Sequence, residues 1–179
     1  VELVMLDNRY DARIALRNAE QLVREEVDLA IEFQTDESAA PAVADKFLQA
    51  GIPLIAIDVP HPGATSYGAN NYEAGLLGGR HLGRWAVRHW DGEADEVVLV
   101  GIARAGSIPE ARMRGSLVGL HETMRGSDSI RVQHLDGDGQ FGLTLDAGRR
   151  HLRITKAKRI LVAAATDPSA IGALRAFQE

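Results

Sequence analysis

The chain has 179 residues, enough for one large domain or two small ones, and 45% of them are hydrophobic, which supports a sizeable core. The net charge of −5 argues against a surface that binds nucleic-acid phosphates, so no nucleic-acid partner is expected for this segment. Cysteine is absent, which excludes disulfides and thiolate metal sites, and no apolar run reaches the roughly 18 residues of a membrane span.

Strand and helix patterns alternate along the chain. Short apolar runs predict strands at 2–6, 27–33, 52–58, 65–69, 95–102, 130–135 and 159–166. Apolar residues at helical spacing predict helices at 10–25, 37–50, 72–90, 108–125 and 142–154, and a last helix that begins with Asp167 as N-cap and Pro168 at its first position. Such alternation is typical of parallel sheets with helices on both faces.

This β–α pattern occurs twice, before and after about residue 92, and the polar stretch "DGEAD" at 91–95 lies between the two runs. We therefore predict an N-terminal lobe at 1–70, a crossover helix at 71–91 and a C-terminal lobe at 92–179. The chain starts inside a predicted strand and stops inside a predicted helix, so further sequence is expected at both ends and both lobes are expected to be incomplete.

The long predicted helix carries Gly75, Gly79 and Gly83 at intervals of four residues. Each glycine lowers helix stability by roughly 1 kcal/mol relative to alanine. We therefore expect this bare stripe to allow the close approach of a strand or a hinge segment.

Ligands of open α/β sheets bind beyond the carboxyl ends of the strands, so the residues directly after each apolar run are candidates for a binding site. Nearly all are uncharged polar residues or acids, which suits a neutral polyhydroxyl ligand better than a phosphate. Helix capping is the alternative role, and it fits Asp167 because Pro168 follows it. Asp58 precedes "VPHP" rather than a helix, so capping explains it less well.

Four segments occur in the order of a known family: "VDLAIEFQTDESAA", "AGIPLIAIDVPHPGATSYGANNYEAGLLGG", "ARMRGSLVGL" and "TDPSAIGALRAFQ". Together they resemble the sugar-binding periplasmic proteins of ABC transporters, in the ribose-binding-protein-like type I group. The effector domains of LacI-type repressors share that fold. The resemblance implies an α/β fold of two lobes, each a parallel sheet flanked by helices, with the first β–α unit and the C-terminal segments missing.

The resemblance also implies site residues. Asp58 would accept hydrogen bonds from sugar hydroxyls, and the arginine of the "R-x-R-G" stretch would donate to them, which points to Arg114 with Arg112 as its neighbour. Thr166 would supply a polar contact, and an aromatic ring near Phe141 would stack on the sugar. The family often has arginine where this chain has Val59. The full set of ligand-binding candidates is Gln34, Asp58, Arg112, Arg114, Phe141, Thr166 and Asp167.

The function implied is capture of a small sugar between two lobes and its delivery to an ABC transporter permease in the periplasm, without catalysis, cofactor or metal. The first alternative is the effector domain of a cytoplasmic LacI-type regulator. The distant alternative is an NAD-dependent enzyme, because "GDGQFG" at 137–142 matches the spacing G-x-G-x-x-G after a strand. The acid that such a fingerprint needs about 20 residues later is represented only by Asp167, 25 residues beyond Gly142.

Overall fold

The computed structural model describes all residues from Val1 to Glu179, and they form two compact units. The first unit comprises Val1–Ala69 together with Arg104–Gly106, and the second comprises Asn70–Ala103 and Ser107–Glu179. None of the helices combines the length and the hydropathy that a bilayer crossing requires. The lobe limits given by the sequence pattern stay a prediction.

The first unit is a three-stranded parallel sheet with two helices. Its strands are β1 (Ala30–Phe33), β2 (Leu54–Ile57) and β3 (Thr65–Tyr67), in the order β1-β2-β3, and its helices are α1 (Ala12–Arg24) and α2 (Ala40–Gln49). Asp11 caps α1 by accepting the N–H groups of Arg13 and Ile14, and a 3₁₀ turn at Glu37–Ala39 leads into α2. The buried core joins both helices to the sheet and contains Ala15, Ala19, Ala30, Val43, Ala44, Phe47 and Leu54.

The strand predicted at residues 2–6 is wrong. No strand forms there, and Leu3 and Met5 are 74% and 81% exposed. The segment has the composition of a strand, but a strand persists only when a neighbour pairs with its backbone. Asn8, just beyond the segment, donates its side-chain amide to Glu32 Oε1 at 2.9 Å, and β1 remains at the edge of the sheet.

The second unit is a three-stranded parallel sheet with four helices. Its strands are β4 (Glu96–Gly101), β5 (Arg131–Asp136) and β6 (Ile160–Ala164), in the order β5-β4-β6, and its helices are α3 (Asn71–Trp90), α4 (Ser107–Thr123), α5 (Phe141–Ile154) and α6 (Asp167–Phe177). The central strand β4 is buried on both faces, as its continuous apolar run requires. The main core lies between this sheet and the helices and contains Ala86, Val97, Leu99, Met113, Leu120, Met124, Leu161 and Ala165.

The glycine stripe of α3 packs against α4, which is neither the strand nor the hinge that was expected. A Cβ atom on Gly79 would overlap the carbonyl oxygen of Ser116, and one on Gly75 would overlap that of Arg112. The relation is mutual, because a Cβ on Gly119 of α4 would overlap the carbonyl oxygen of Leu76. Glycines on both helices therefore allow the two backbones to touch.

Candidate ligand-binding site

Asp58 lies directly after β2, at the carboxyl end of the first unit's sheet. Its backbone N–H donates to the carbonyl of Tyr67 at 3.0 Å, and the N–H of Val59 donates to the carbonyl of Ile57 at 2.8 Å. The second bond closes a γ-turn around Asp58, whose φ is +58°, and this is a rare and strained form of turn for a residue with a side chain. The half-buried carboxylate caps no helix and accepts no hydrogen bond from the chain. It is therefore available to a ligand.

Gln34 directly follows β1 and belongs to the same end of the sheet. Its side chain is 1% exposed, and Oε1 accepts the backbone N–H groups of Thr35 and Asp36 at 2.8 and 3.0 Å. This bond pattern fixes the turn that leads towards α2. The side-chain amide nitrogen is buried without a partner, so one donor remains unused at this strand end.

His61 was not identified as a candidate from the sequence. It is 3% exposed, and its Nδ1 lies 2.9 Å from the carbonyl oxygen of Val59, while Nε2 is buried without a partner. Burial lowers the pKa of the His61 imidazole, against the raising effect of the Val59 carbonyl. A neutral ring that donates through Nδ1 presents an acceptor lone pair at Nε2. The flanking residues Pro60 and Pro62 were the only sequence signal for a fixed position here.

The two arginines of α4 have different surroundings. Arg112 is half-buried, and its Nε donates to Asn71 Oδ1 at 2.8 Å while Nη1 donates to the carbonyl of Ala165, directly after β6. Arg114 is exposed and makes no side-chain hydrogen bond or ion pair within the chain. Residues two apart on a helix are separated by about 200° around its axis, so the two side chains leave α4 in different directions. Only Arg112 is fixed at the carboxyl end of the second unit's sheet.

Thr166, rather than Asp167, is the N-cap of α6. Its backbone is extended, and its hydroxyl accepts the N–H of Ser169 at 3.4 Å. Both features are typical of an N-cap residue. The hydroxyl also lies 3.4 Å from the carbonyl oxygen of Gly139, which brings the loop after β5 to the same strand end. Asp167 is the first helical residue and is exposed, so the N-cap assignment made from the sequence is wrong.

Phe141 begins α5 and exposes 43% of its surface, as a ring available for stacking would. The glycines of the preceding loop have local roles. A Cβ on Gly137 would overlap the side chain of Thr144, Gly139 has a φ of +70°, and Asp136 Oδ1 accepts the N–H of Asp138 at 3.0 Å. A tight turn therefore accounts for Gly137 and Gly139 without a pyrophosphate, and Gly142 lies inside α5, where a Cβ would meet no atom within 4 Å.

One buried charge lies away from the carboxyl ends of the strands. Glu96 begins β4, is completely buried, and accepts hydrogen bonds from Arg131 at 2.8 Å and Thr155 at 2.7 Å, with His151 Nε2 at 3.0 Å. Burial raises the pKa of the Glu96 carboxyl, but the bonds from Thr155 and Arg131 and the nearby His151 outweigh it, so the pKa lies below its ordinary value. This cluster stabilises the second unit at the opposite end of its sheet.

The sequence profile of the periplasmic binding protein domain matches residues 1–179. The chain belongs to this family. The resemblance and the α/β fold class inferred from the sequence are thereby confirmed. A comparison with curated protein sequences gave no significant match.

Solved structures of the same fold include ABC transporter solute-binding proteins. One from Mycobacterium smegmatis with bound glycerol has a TM-score of 0.82 at 17% identity and covers 99% of this chain and 59% of its own. One from Bacillus halodurans C-125 with bound myo-inositol has a TM-score of 0.79 at 19% identity, with coverages of 99% and 60%. One from Actinobacillus succinogenes 130z with bound D-allose has a TM-score of 0.74 at 19% identity, with coverages of 99% and 62%. The present chain thus spans about 60% of the length of these structures.

Proposed function

We propose that this chain is part of a solute-binding protein that captures a small sugar or cyclic polyol for an ABC transporter. The observation that carries the proposal is the carboxylate of Asp58, which is available and unbonded at the carboxyl end of a parallel sheet in a member of this family. Two neighbouring hydroxyls of a sugar can donate to its two oxygens, and such charge-assisted hydrogen bonds are the strong ones.

Neighbouring groups of the first unit suit the same ligand. The side-chain amide nitrogen of Gln34, directly after β1, is buried without a partner. So is Nε2 of His61, three residues after Asp58. Hydroxyl groups donate and accept, so a polyol can pair with a carboxylate, an amide and a neutral imidazole together. A phosphate could not, because the carboxylate would repel it.

In the second unit, we propose Arg112 as the arginine that donates to the ligand, because its guanidinium is held at the end of β6. The hydroxyl of Thr166 and the ring of Phe141 belong to the same strand end and are proposed as a polar contact and a stacking surface. Arg114 and Asp167 are exposed and stay predictions from the sequence.

The alternatives have less support. The solved structures described above are solute-binding proteins of transporters, which favours the transport proposal over a LacI-type regulator. The enzyme hypothesis rested on "GDGQFG", whose first two glycines serve the turn before α5. A location in the periplasm or outside the cell, and a permease as partner, accompany the transport proposal.

The test is binding by the full-length protein to a panel that contains pentoses, hexoses, myo-inositol and NAD, measured by thermal shift and then by calorimetry. We expect a sugar or polyol to bind and NAD not to bind. Asp58→Ala should weaken binding about 10- to 100-fold, at roughly 1.4 kcal/mol per decade. Asp28→Ala is the matched control, since Asp28 is an exposed carboxylate that precedes β1 at the other end of the same sheet. Equal affinities for the Asp58 variant and the wild type would refute the assignment.

A further inference from the structure

Gly68, directly after β3, is a glycine that its backbone conformation does not require. The residue is exposed, and its φ lies outside the positive range that favours glycine. A Cβ atom built on it would meet Asp58 first: the three nearest atoms are Asp58 Oδ1 at 2.8 Å, Cα at 3.3 Å and the backbone nitrogen at 3.4 Å. The absence of a side chain at position 68 therefore matters to one neighbour, Asp58.

The backbone of Asp58 has little freedom to move away. Ile57 lies opposite Tyr67 in the β2–β3 register, which places Asp58 opposite Gly68. The N–H of Asp58 donates to Tyr67, and the γ-turn that the N–H of Val59 closes holds the next peptide. Because the backbone is bonded on both sides, the side chain of Asp58 is the part that must yield to a larger residue 68.

We propose that Gly68 is a positioning residue, whose missing side chain leaves the space in which the Asp58 carboxylate lies. The inference rests on the proposed function of Asp58 as a ligand acceptor. Residue 68 then sets the direction of the carboxylate and thus which arrangement of neighbouring hydroxyls can reach both of its oxygens. Hydrogen bonds between hydroxyls and carboxylates require oxygen separations of about 2.5–3.0 Å, so a rotated carboxylate loses one or both of them.

Gly68→Ala provides the direct test. Alanine tolerates the backbone conformation, but its Cβ would lie 2.8 Å from Asp58 Oδ1, so the carboxylate is expected to rotate into another rotamer. A crystal structure of this variant should show a changed χ1 angle at Asp58, with the backbone bonds to Tyr67 and Ile57 retained. An unmoved carboxylate, or a β3 strand displaced from β2, would overturn the proposal.

A double-mutant cycle without ligand tests the contact independently. Gly68→Ala should lower the melting temperature in the wild type and lower it by less in the Asp58→Ala background, where the crowded carboxylate is absent. Gly78→Ala is the control, because a Cβ on this exposed glycine of α3 would meet no atom within 4 Å. Its effect should be the same in both backgrounds. A Gly68→Ala effect that is also the same in both backgrounds would contradict the proposal, whatever the binding measurements give.

Calorimetry with myo-inositol and D-allose completes the test. Gly68→Ala should weaken binding at least 10-fold when Asp58 is present and should cause no further loss in Asp58→Ala. Loss of affinity in both backgrounds would mean that Gly68 acts by another route. If Asp58→Ala itself leaves binding unchanged, the proposed function of Asp58 fails, while the crystal structure and the ligand-free cycle still decide whether Gly68 positions the carboxylate.

Discussion

The two arginines of α4 show that the surroundings of a residue decide whether its side chain is fixed in place. They are separated by one residue in the sequence, and the family resemblance of the "R-x-R-G" stretch pointed to Arg114 with Arg112 as its neighbour. The structure gives Arg112 two partners from different parts of the second unit, Asn71 and Ala165, and gives Arg114 none. A guanidinium that is already held in place loses less conformational entropy when it binds a ligand.

We predict that Arg112→Ala weakens sugar binding more than Arg114→Ala does. Arg112→Ala should also lower the free energy of unfolding by about 1–3 kcal/mol, since two hydrogen bonds are lost at roughly 0.5–1.5 kcal/mol each. Arg114→Ala should leave stability unchanged. Calorimetry and chemical denaturation of both variants would check this, and a larger loss of affinity in the Arg114 variant would restore the original assignment.

Position by position, the sequence predicted which residues end strands but not which partner each one takes. Thr166 and Asp167 are both residues that cap helices, and Pro168 is compatible with either register, so the cap could not be assigned from the chain alone. His61 was missed because a lone histidine has no spacing pattern, and its burial depends on how the loop between β2 and β3 folds back.

At the scale of elements, the pairing of α3 with α4 is the most extensive contact in the second unit. The glycine pattern predicted a close approach to α3, but it did not identify the partner. The matching glycines, Gly115 and Gly119, lie 40 residues further along the chain, on a helix without a strong amphipathic pattern. Where helix backbones touch, Cα–H groups can contact carbonyl oxygens of the neighbour, and any side chain there must push the helices apart.

We predict that Gly79→Leu destabilises the protein far more than Gly78→Leu or Arg80→Leu. Leucine at position 79 would meet the backbone of α4 at Ser116, at a cost of roughly 1–3 kcal/mol or more through overpacking. Gly78 is the matched control, because a side chain there meets no atom within 4 Å and should improve helix propensity. Equal melting temperatures for the two glycine variants would contradict this account of the interface.

Strand formation also depends on a partner that the sequence of the strand does not identify. Residues 2–6 and β1 have similar apolar composition, yet β1 pairs with β2 from Ala30 to Phe33 and residues 2–6 pair with nothing. Strand propensity expresses how well a residue fits a paired, half-buried surface, and the neighbour that provides such a surface cannot be read from the strand itself.

At the scale of the whole molecule, the edge strand β1 of the first unit exposes two large apolar side chains. Ile31 and Phe33 on the edge strand β1 are 61% and 55% exposed. An edge strand with free backbone groups and apolar side chains is a template for pairing with another chain. Lysine on such an edge is the device by which natural proteins prevent this pairing.

We predict that the 179-residue chain self-associates with rising concentration and that Ile31→Lys reduces this association. Ile171→Lys is the control, because Ile171 has a similar exposure of 56% but lies on helix α6, whose backbone groups are already bonded. Sedimentation velocity over a range of concentrations would measure both variants. Equal reduction by the two substitutions would indicate general hydrophobic contact instead of pairing at β1.

The mutual glycine contacts of α3 and α4 also limit how the protein can be recombined with its relatives. A chimaera that takes α4 from another family member will seat against α3 only if the donor helix has small residues at the positions of Gly115 and Gly119. Crossover points placed between Trp90 and Ser107 would separate the two contacting surfaces. Residues 71–123 should therefore be exchanged as one block.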